Sequence, residues 1–242
     1  MLTLFASDLH LHRDRPASLA AFARLVRGPA RRAETLYLLG DVFDQWLGDD
    51  DVTAPHPEVE EELRRLSDSG TRIAFIAGNH DFLVGRDFAA RTGVALLDDV
   101  TAIDLEGRRT IITHGDQLCT GDVDYQAFRA HARNPEVQRE FLALALEERA
   151  LMAARLRHRS RELTALKPSD IMDVAPDAVE ALLHEHRADD LIHGHTHRPA
   201  THHLTVAGRA CRRIVLADWY DGASVLAVED GGYRSSPVSA LA

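Results

Sequence analysis

A chain of 242 residues with 45% hydrophobic and 27% charged side chains can bury a sizeable core and is too apolar to stay unfolded. Its net charge of −10 excludes a general nucleic-acid binder, which needs a basic surface to displace counterions. Two cysteines, Cys119 and Cys211, exclude a disulfide framework and are expected as buried thiols in a reducing compartment.

The opening run "MLTLFASDLHLH" lacks a basic leader and its apolar stretch ends at Asp8, so a strand over 2–7 is expected rather than an export signal. No segment approaches the ~20 apolar residues of a membrane-spanning helix. Leu19, Phe22, Leu25 and Val26 recur at helical spacing over 17–27, and 35–39 is the next strand. A helix over 57–69 carries Val59, Leu63 and Leu66 and stops at Gly70, before a strand over 72–77. A short helix near 86–91 ends at Gly93, and β segments follow at 94–97, 100–105 and 109–113, with a turn at Glu106-Gly107.

From 122 to 186 the pattern is all-helical. Asn134 is a good N-cap with Pro135 at the first helical position, and "EVQREFLALALEERALMAARLRHRSREL" reads as one long helix ending near Lys167-Pro168. Val137, Phe141, Leu144, Met152 and Leu156 mark one face. Leu142, Leu146 and Leu151 widen it, as in a helix packed between others or a groove for an alkyl chain. Between Arg129 and Lys167 there are nine Arg/Lys against five Glu. Such a basic island fits an anionic partner or a solvated helix face. Strands resume at 190–193, 202–206, 211–217 and 223–229. The expected fold is therefore α/β, with two packed mixed sheets flanked by helices, as one domain over 1–242 with a helical cap inserted at 122–186.

Five blocks place metal-type ligands at the C-terminal end of an apolar strand: "SDLHLH" (Asp8, His10), "LLGDVFDQW" (Asp41, Asp44), "IAGNHDF" (Asn79, His80, Asp81), "IITHGDQL" (His114) and "LIHGHTHRP" (His193, His195, His197). In α/β sheets ligands bind outside the carboxyl ends of strands, so the blocks can converge. In extended chain Asp8 and His10 share a face, as do His195 and His197. A single such residue is more often structural, but five blocks in succession point to a cation that satisfies the cluster. Oxygen and nitrogen donors without thiolate suit Mn²⁺, Fe²⁺ or Zn²⁺, and there are enough for two ions sharing a carboxylate.

This set resembles the calcineurin-like metallophosphoesterases, whose pattern runs D-x-H, G-D-x-x-D, G-N-H-[DE], H and G-H-x-H. The resemblance implies one metal on Asp8, His10, Asp41 and His197 and a second on Asp41, Asn79, His114 and His195, with Asp41 bridging. Asp44, Asp81 and His193 then support the ligands, and His12 is a surface or strand-edge residue. The phrases "HGDQLCTGDVDYQAFR", "SDIMDV", "LIHGHTHRPA" and "RIVLADWY" narrow the likeness. With the helical insertion, they are similar to the UDP-2,3-diacylglucosamine diphosphatase family of the lipid A pathway. That family implies hydrolysis of the pyrophosphate of UDP-2,3-diacylglucosamine to UMP and 2,3-diacylglucosamine 1-phosphate, by a water activated between two Mn²⁺ (Fe²⁺ or Zn²⁺ as alternatives) attacking the α-phosphorus. Asp41, His80 and His195 are implied as catalytic, and Asn79, His80, Asp122, Ser160, Thr164, Lys167 and His195 as substrate contacts. Lys167 is the only lysine among the 28 basic residues.

The family usually carries arginine where this chain has His80. An arginine grips phosphate with a permanent charge, whereas a histidine titrates near neutral pH. The expected setting is cytoplasmic, with the cap touching the inner face of the bacterial inner membrane and with neither nucleic acid nor an obligate protein partner. The alternatives are a phosphoesterase for another nucleotide diphosphate or diester, a non-catalytic scaffold on the same fold, and a nuclease.

Overall fold

The computed structural model describes residues 1–164 and 171–241. The first half alternates β1 (Thr3–Ala6), α1 (Pro16–Arg27), β2 (Thr35–Leu39), α2 (His56–Asp68), β3 (Arg72–Ile76), α3 (Arg86–Thr92) and the short β4 (Ala95–Leu96). Strands β1 to β4 pair in parallel because each returns through a crossover. Proline at the start of α1 and Gly93 in left-handed conformation (φ 76°) after α3 bound two of these helices.

The antiparallel pair β5 (Val100–Leu105) and β6 (Arg108–Thr113) opens a second sheet. Four helices follow: α4 (Val123–Ala132), α5 (Pro135–Leu142), α6 (Leu146–Thr164) and α7 (Pro176–Glu185). The chain closes with β7 (Asp190–His193), β8 (Ala200–Val206), β9 (Arg209–Val215), β10 (Ser224–Glu229) and β11 (Gly232–Pro237). The sheet orders are β11-β10-β1-β2-β3-β4 and β5-β6-β7-β9-β8, both mixed.

Three apolar clusters define the layers. Phe5, Leu39, Ile76, Ile112, Ile192 and Ile214 fill the space between the sheets. Phe22, Leu25, Leu63 and Phe88 pack the first three helices on the outer face of the first sheet. Val179 and Leu183 of α7 cover the second sheet at Ile111 and Leu191, so α7 is a flanking layer and not part of an outlying helical group.

Two expectations need correction. The single long helix is broken at 143–145, with no Gly or Pro to signal it. The Ala145 N–H donates to Glu148 Oε2 (3.2 Å) and its carbonyl accepts from Arg149 N (3.1 Å), so Ala145 begins α6 with half of a capping box. Nor is this segment packed between others: Leu142, Leu151, Met152 and Leu156 are exposed. Strand β11 is absent from the sequence-based list because its polar, proline-ended edge lacks an apolar pattern. Its signal was the Asp230-Gly231 pair, both at positive φ, in a two-residue hairpin turn.

Candidate active site

The carboxyl ends of β1, β2, β3, β6 and β7 open on one side of the sandwich, and the ligand blocks follow those strands directly. They do not emerge in extended chain. Asp8, His10, Asp41, His195 and His197 all have left-handed backbones, with φ between 44° and 64°. The shared face expected from strand alternation is therefore not what unites Asp8 with His10 or His195 with His197. Sharp turns at the strand ends fold each side chain back toward a common point. Such conformations cost stability and persist only where the surroundings over-determine them.

The surroundings do so here. Asp81 is fully buried and accepts backbone N–H bonds from Gly78 (2.7 Å), Asp41 (3.2 Å), Val42 (2.7 Å) and Phe43 (3.3 Å), tying two ligand loops together. Gly78 lies so close to Asp41 that a Cβ would meet Oδ1 at 2.1 Å. Gly194 plays the same part against Ser7 and Asp8, where the nearest atom would lie at 2.0 Å. His193 is buried, with Nδ1–H donating to the Gly194 carbonyl (2.9 Å).

Asp41 is the hub. Its Oδ2 lies 3.8 Å from His10 Nε2, 3.9 Å from His80 Nε2 and 3.6 Å from His114 Nε2. Its Oδ1 accepts the His80 N–H (2.8 Å). Asp8 Oδ1 is 3.2 Å from His197 Nε2, and Oδ2 accepts the His195 N–H (2.9 Å). Three sets of donor atoms lie within 4.8 Å of one another: Asp8, His10 and His197; His10, Asp41 and His80; Asp8, Asp41 and His114. None of these groups includes His195, whose ring packs edge-on to His114 at 5.1 Å and faces Tyr125 at 5.9 Å.

The donor chemistry fits a cation. Both ring nitrogens of His10 are buried without a hydrogen-bond partner among the described residues. His114 Nδ1–H donates to the Leu39 carbonyl (2.8 Å), so its Nε2 meets Asn79 Oδ1 at 3.0 Å as one acceptor facing another unless positive charge lies there. The electrostatics agree. Burial alone would lower His114, but Asp41, Asp8 and Asp116 outweigh it and raise its pKa to about 9. Burial and the cluster's other imidazoles hold His10 and His195 down at about 4. Spacings of 3.2–3.9 Å between donors are those a divalent ion bound at ~2.1 Å to each produces.

The other expected residues are placed as follows. His80 is about one-third exposed, with Nδ1–H donating to the Asp44 carbonyl (2.8 Å). The Asp44 carboxylate receives Arg157 of α6 (2.8 Å). Asp122 caps α4, accepting from Tyr125 N (3.1 Å). Ser160 is exposed on α6, Thr164 ends that helix, and Lys167 lies outside the described residues. Sequence inspection did not single out Tyr125, Asp116, Arg157 or Tyr220. Tyr125 O–H donates to Asp116 Oδ2 (2.7 Å), while Tyr220 stacks on His10 with ring centroids 5.1 Å apart. For Tyr125, Asp116 and Tyr220 the signal was membership of the phrases "HGDQLCTGDVDYQAFR" and "LADWY", and for Arg157 it was the basic run of α6.

A two-sheet sandwich with helices outside and carboxylate, imidazole and amide ligands at its strand ends defines a metal-dependent phosphoesterase. The chain belongs to the calcineurin-like phosphoesterase family, whose model matches residues 1–199. Within that family its similarity runs to UDP-2,3-diacylglucosamine hydrolases. It is 50% identical to the one from Chromohalobacter salexigens over 222 residues, covering 92% of this chain and 90% of that one. It is 47% identical to the one from Stenotrophomonas maltophilia strain K279a over 240 residues, covering 96% and 97%. For the Salmonella arizonae protein the identity is 48% over 228 residues, covering 94% and 95%. A solved archaeal phosphodiesterase, 14% identical, shares the fold with a TM-score of 0.53 over 98% of this chain and 99% of that one.

Proposed function

We propose that this protein hydrolyses the pyrophosphate bond of UDP-2,3-diacylglucosamine, releasing UMP and 2,3-diacylglucosamine 1-phosphate. The observation that carries the assignment is similarity near 50% that runs through the helices α4 to α6 as well as the ligand blocks, since it covers at least nine-tenths of both chains. Asp8, His10, Asp41, Asn79, His114, His195 and His197 would hold two divalent ions, for which Mn²⁺ suits the oxygen and nitrogen donors. When bound, such ions neutralise phosphate charge and lower the pKa of water.

The protein's own groups have separable roles. Asp41 orients its Oδ2 toward both halves of the cluster, as a bridging carboxylate must. His80 is fixed as the Nδ1–H tautomer by the Asp44 carbonyl, which leaves Nε2 to hold or give up a proton at the scissile phosphate. His195, facing Tyr125, would stabilise charge developing on the leaving oxygens. Asn79, Asp122, Ser160, Thr164 and Lys167 complete the contacts to the sugar phosphate. Helices α4 to α6 form a cap over this flank, and their exposed Val123, Phe128, Leu142, Leu151, Met152 and Leu156 supply apolar surface for acyl chains and for a peripheral site on the inner face of the inner membrane. No helix among the described residues is long and apolar enough to cross a membrane.

The test is product identification from purified protein, Mn²⁺ and UDP-2,3-diacylglucosamine, beside UDP-sugars without acyl chains. Equal efficiency on both would refute the lipid substrate. His80→Arg should keep substantial turnover, whereas His80→Ala should lose it while keeping bound metal. An arginine variant as inactive as the alanine variant would assign His80 a proton-transfer role that a phosphate clamp cannot replace.

A further inference from the structure

Beside the substrate contacts proposed above, the loop after β9 carries a surface they do not use. Tyr220 is 46% exposed, although its ring stacks on His10 (centroids 5.1 Å apart, interplanar angle 28°) and lies 5.5 Å from the ring of His197. The guanidinium of Arg15 sits 3.8 Å from the Tyr220 centroid, and among the described residues Arg15 makes no ion pair.

The position of this tyrosine is fixed. Neighbouring Trp219 is buried, with its backbone N–H donating to the Asp8 carbonyl (3.1 Å) and its indole N–H to the Ser224 carbonyl (2.9 Å). The Tyr220 N–H donates to Asp218 Oδ1 (2.8 Å), and Asp218 Oδ2 lies 3.7 Å from His197 Nδ1. The loop that orients His197 thus holds a half-exposed aromatic ring at the edge of the ligand cluster, with a planar cation against it.

One face of Tyr220 lies on His10 and the other beneath Arg15, so the plane offered to a nucleobase is the outer face of the guanidinium, which Tyr220 holds flat and which also supplies N–H donors to phosphate and ribose oxygens. Acyl chains would gain little from it, because the exposed leucines and methionine lie on α5 and α6. In an in-line displacement the nucleoside ester oxygen is equatorial on the attacked phosphorus, so the nucleoside leaves the centre in a different direction from the departing sugar phosphate. We propose that Tyr220 and Arg15 form the subsite for the nucleoside 5′-monophosphate half of the substrate. The inference rests on the proposed hydrolysis of a nucleotide-linked lipid. Because stacking does not read hydrogen-bonding edges, the subsite accepts UMP, CMP and AMP comparably.

The experiment titrates UMP and ribose 5-phosphate into full-length protein loaded with Mn²⁺, with bound manganese measured for every variant. Wild type should bind UMP roughly 5- to 100-fold more tightly than ribose 5-phosphate, the range expected for one base stacked on one planar side chain. Tyr220→Phe should retain that ratio and Tyr220→Ala should bring it near one, while affinity for 2,3-diacylglucosamine 1-phosphate stays unchanged. Arg15→Ala should weaken UMP. A ratio near one in the wild type overturns the proposal, as does a ratio that survives in Tyr220→Ala. If Tyr220→Ala sheds manganese, the wild-type, Tyr220→Phe and Arg15→Ala results decide. Failure of the wild type to cleave UDP-2,3-diacylglucosamine would instead remove the proposed function, with the UMP ratio read separately.

Discussion

The sandwich and the helices above its strand ends are held together by different physics. In the sandwich, buried Phe, Leu, Ile and Val form continuous layers between and outside the sheets. Helices α4 and α5 bury no side chain fully. Helices α4 and α6 are attached by polar pins: Arg129 to Asp116 and Asp99, Arg133 to Asp99 and the Gly78 carbonyl, Arg149 to Asp50 and the Leu47 carbonyl, and Arg157 to Asp44. Four of the nine basic residues of the island, Arg129, Arg133, Arg149 and Arg157, are spent on this attachment. The apolar side chains Phe128, Leu142, Leu151, Met152 and Leu156 of α4 to α6 stay exposed, which a layer packed by hydrophobic burial would not permit.

The sharpest test of this contrast is at the junction of the two regions. Asp41→Ala should reduce hydrolysis by more than roughly 100-fold, the loss usual for merely disturbing a ligand's outer partner. It should also abolish the rise in Tm that manganese gives the wild type. Differential scanning fluorimetry with and without chelator measures the second effect, and a preserved manganese response would remove Asp41 from its central role.

Arg149→Ala should cost about 2 kcal/mol, through three lost charge-assisted bonds over Gly48, to the Leu47 carbonyl and both Asp50 oxygens. Hydrogen exchange should quicken across α6 and leave β2 and β7 unchanged. Uniform quickening would mean that the cap and the sandwich unfold as one unit.

Within the sandwich, buried Asp190 receives paired bonds from Arg108 and Arg212. Burial raises its pKa, but the two guanidinium groups prevail and hold it at about 2. Its folded value lies below its unfolded one, so the stabilisation is complete above about pH 4 and is lost as pH falls through 2. Asp190→Asn should flatten urea-derived stability over that window by on the order of 1–2 kcal/mol; an unchanged slope would show that the pair contributes nothing linked to protons. The exposed Arg64–Asp68 pair marks the lower bound, and Arg64→Ala should leave the urea midpoint unchanged. A measurable shift there would weaken the distinction between the arginine pins and ordinary surface pairs.

Much of the sandwich was legible because its strands are short apolar runs and its helices carry one periodic face. The break before α6 was not, since no local breaker marks 143–145 and the pull of Arg149 on Asp50 is tertiary. The ligand types were legible as residues after strands, but their convergence comes from left-handed turns at Asp8, His10, Asp41, His195 and His197. Periodicity carries no information about such turns, which are adopted only when packing holds them.

The amino-acid sequence by itself determined the strand–helix alternation, the identity of the oxygen and nitrogen donors and the family to which the chain belongs. These follow from local pattern and residue chemistry. The tertiary structure alone decided that Asp41 faces three imidazoles, that His80 is fixed in one tautomer and that Tyr220 lies on His10 beneath Arg15. Those relations join residues distant in the chain, and only close packing of separate loops brings their atoms together.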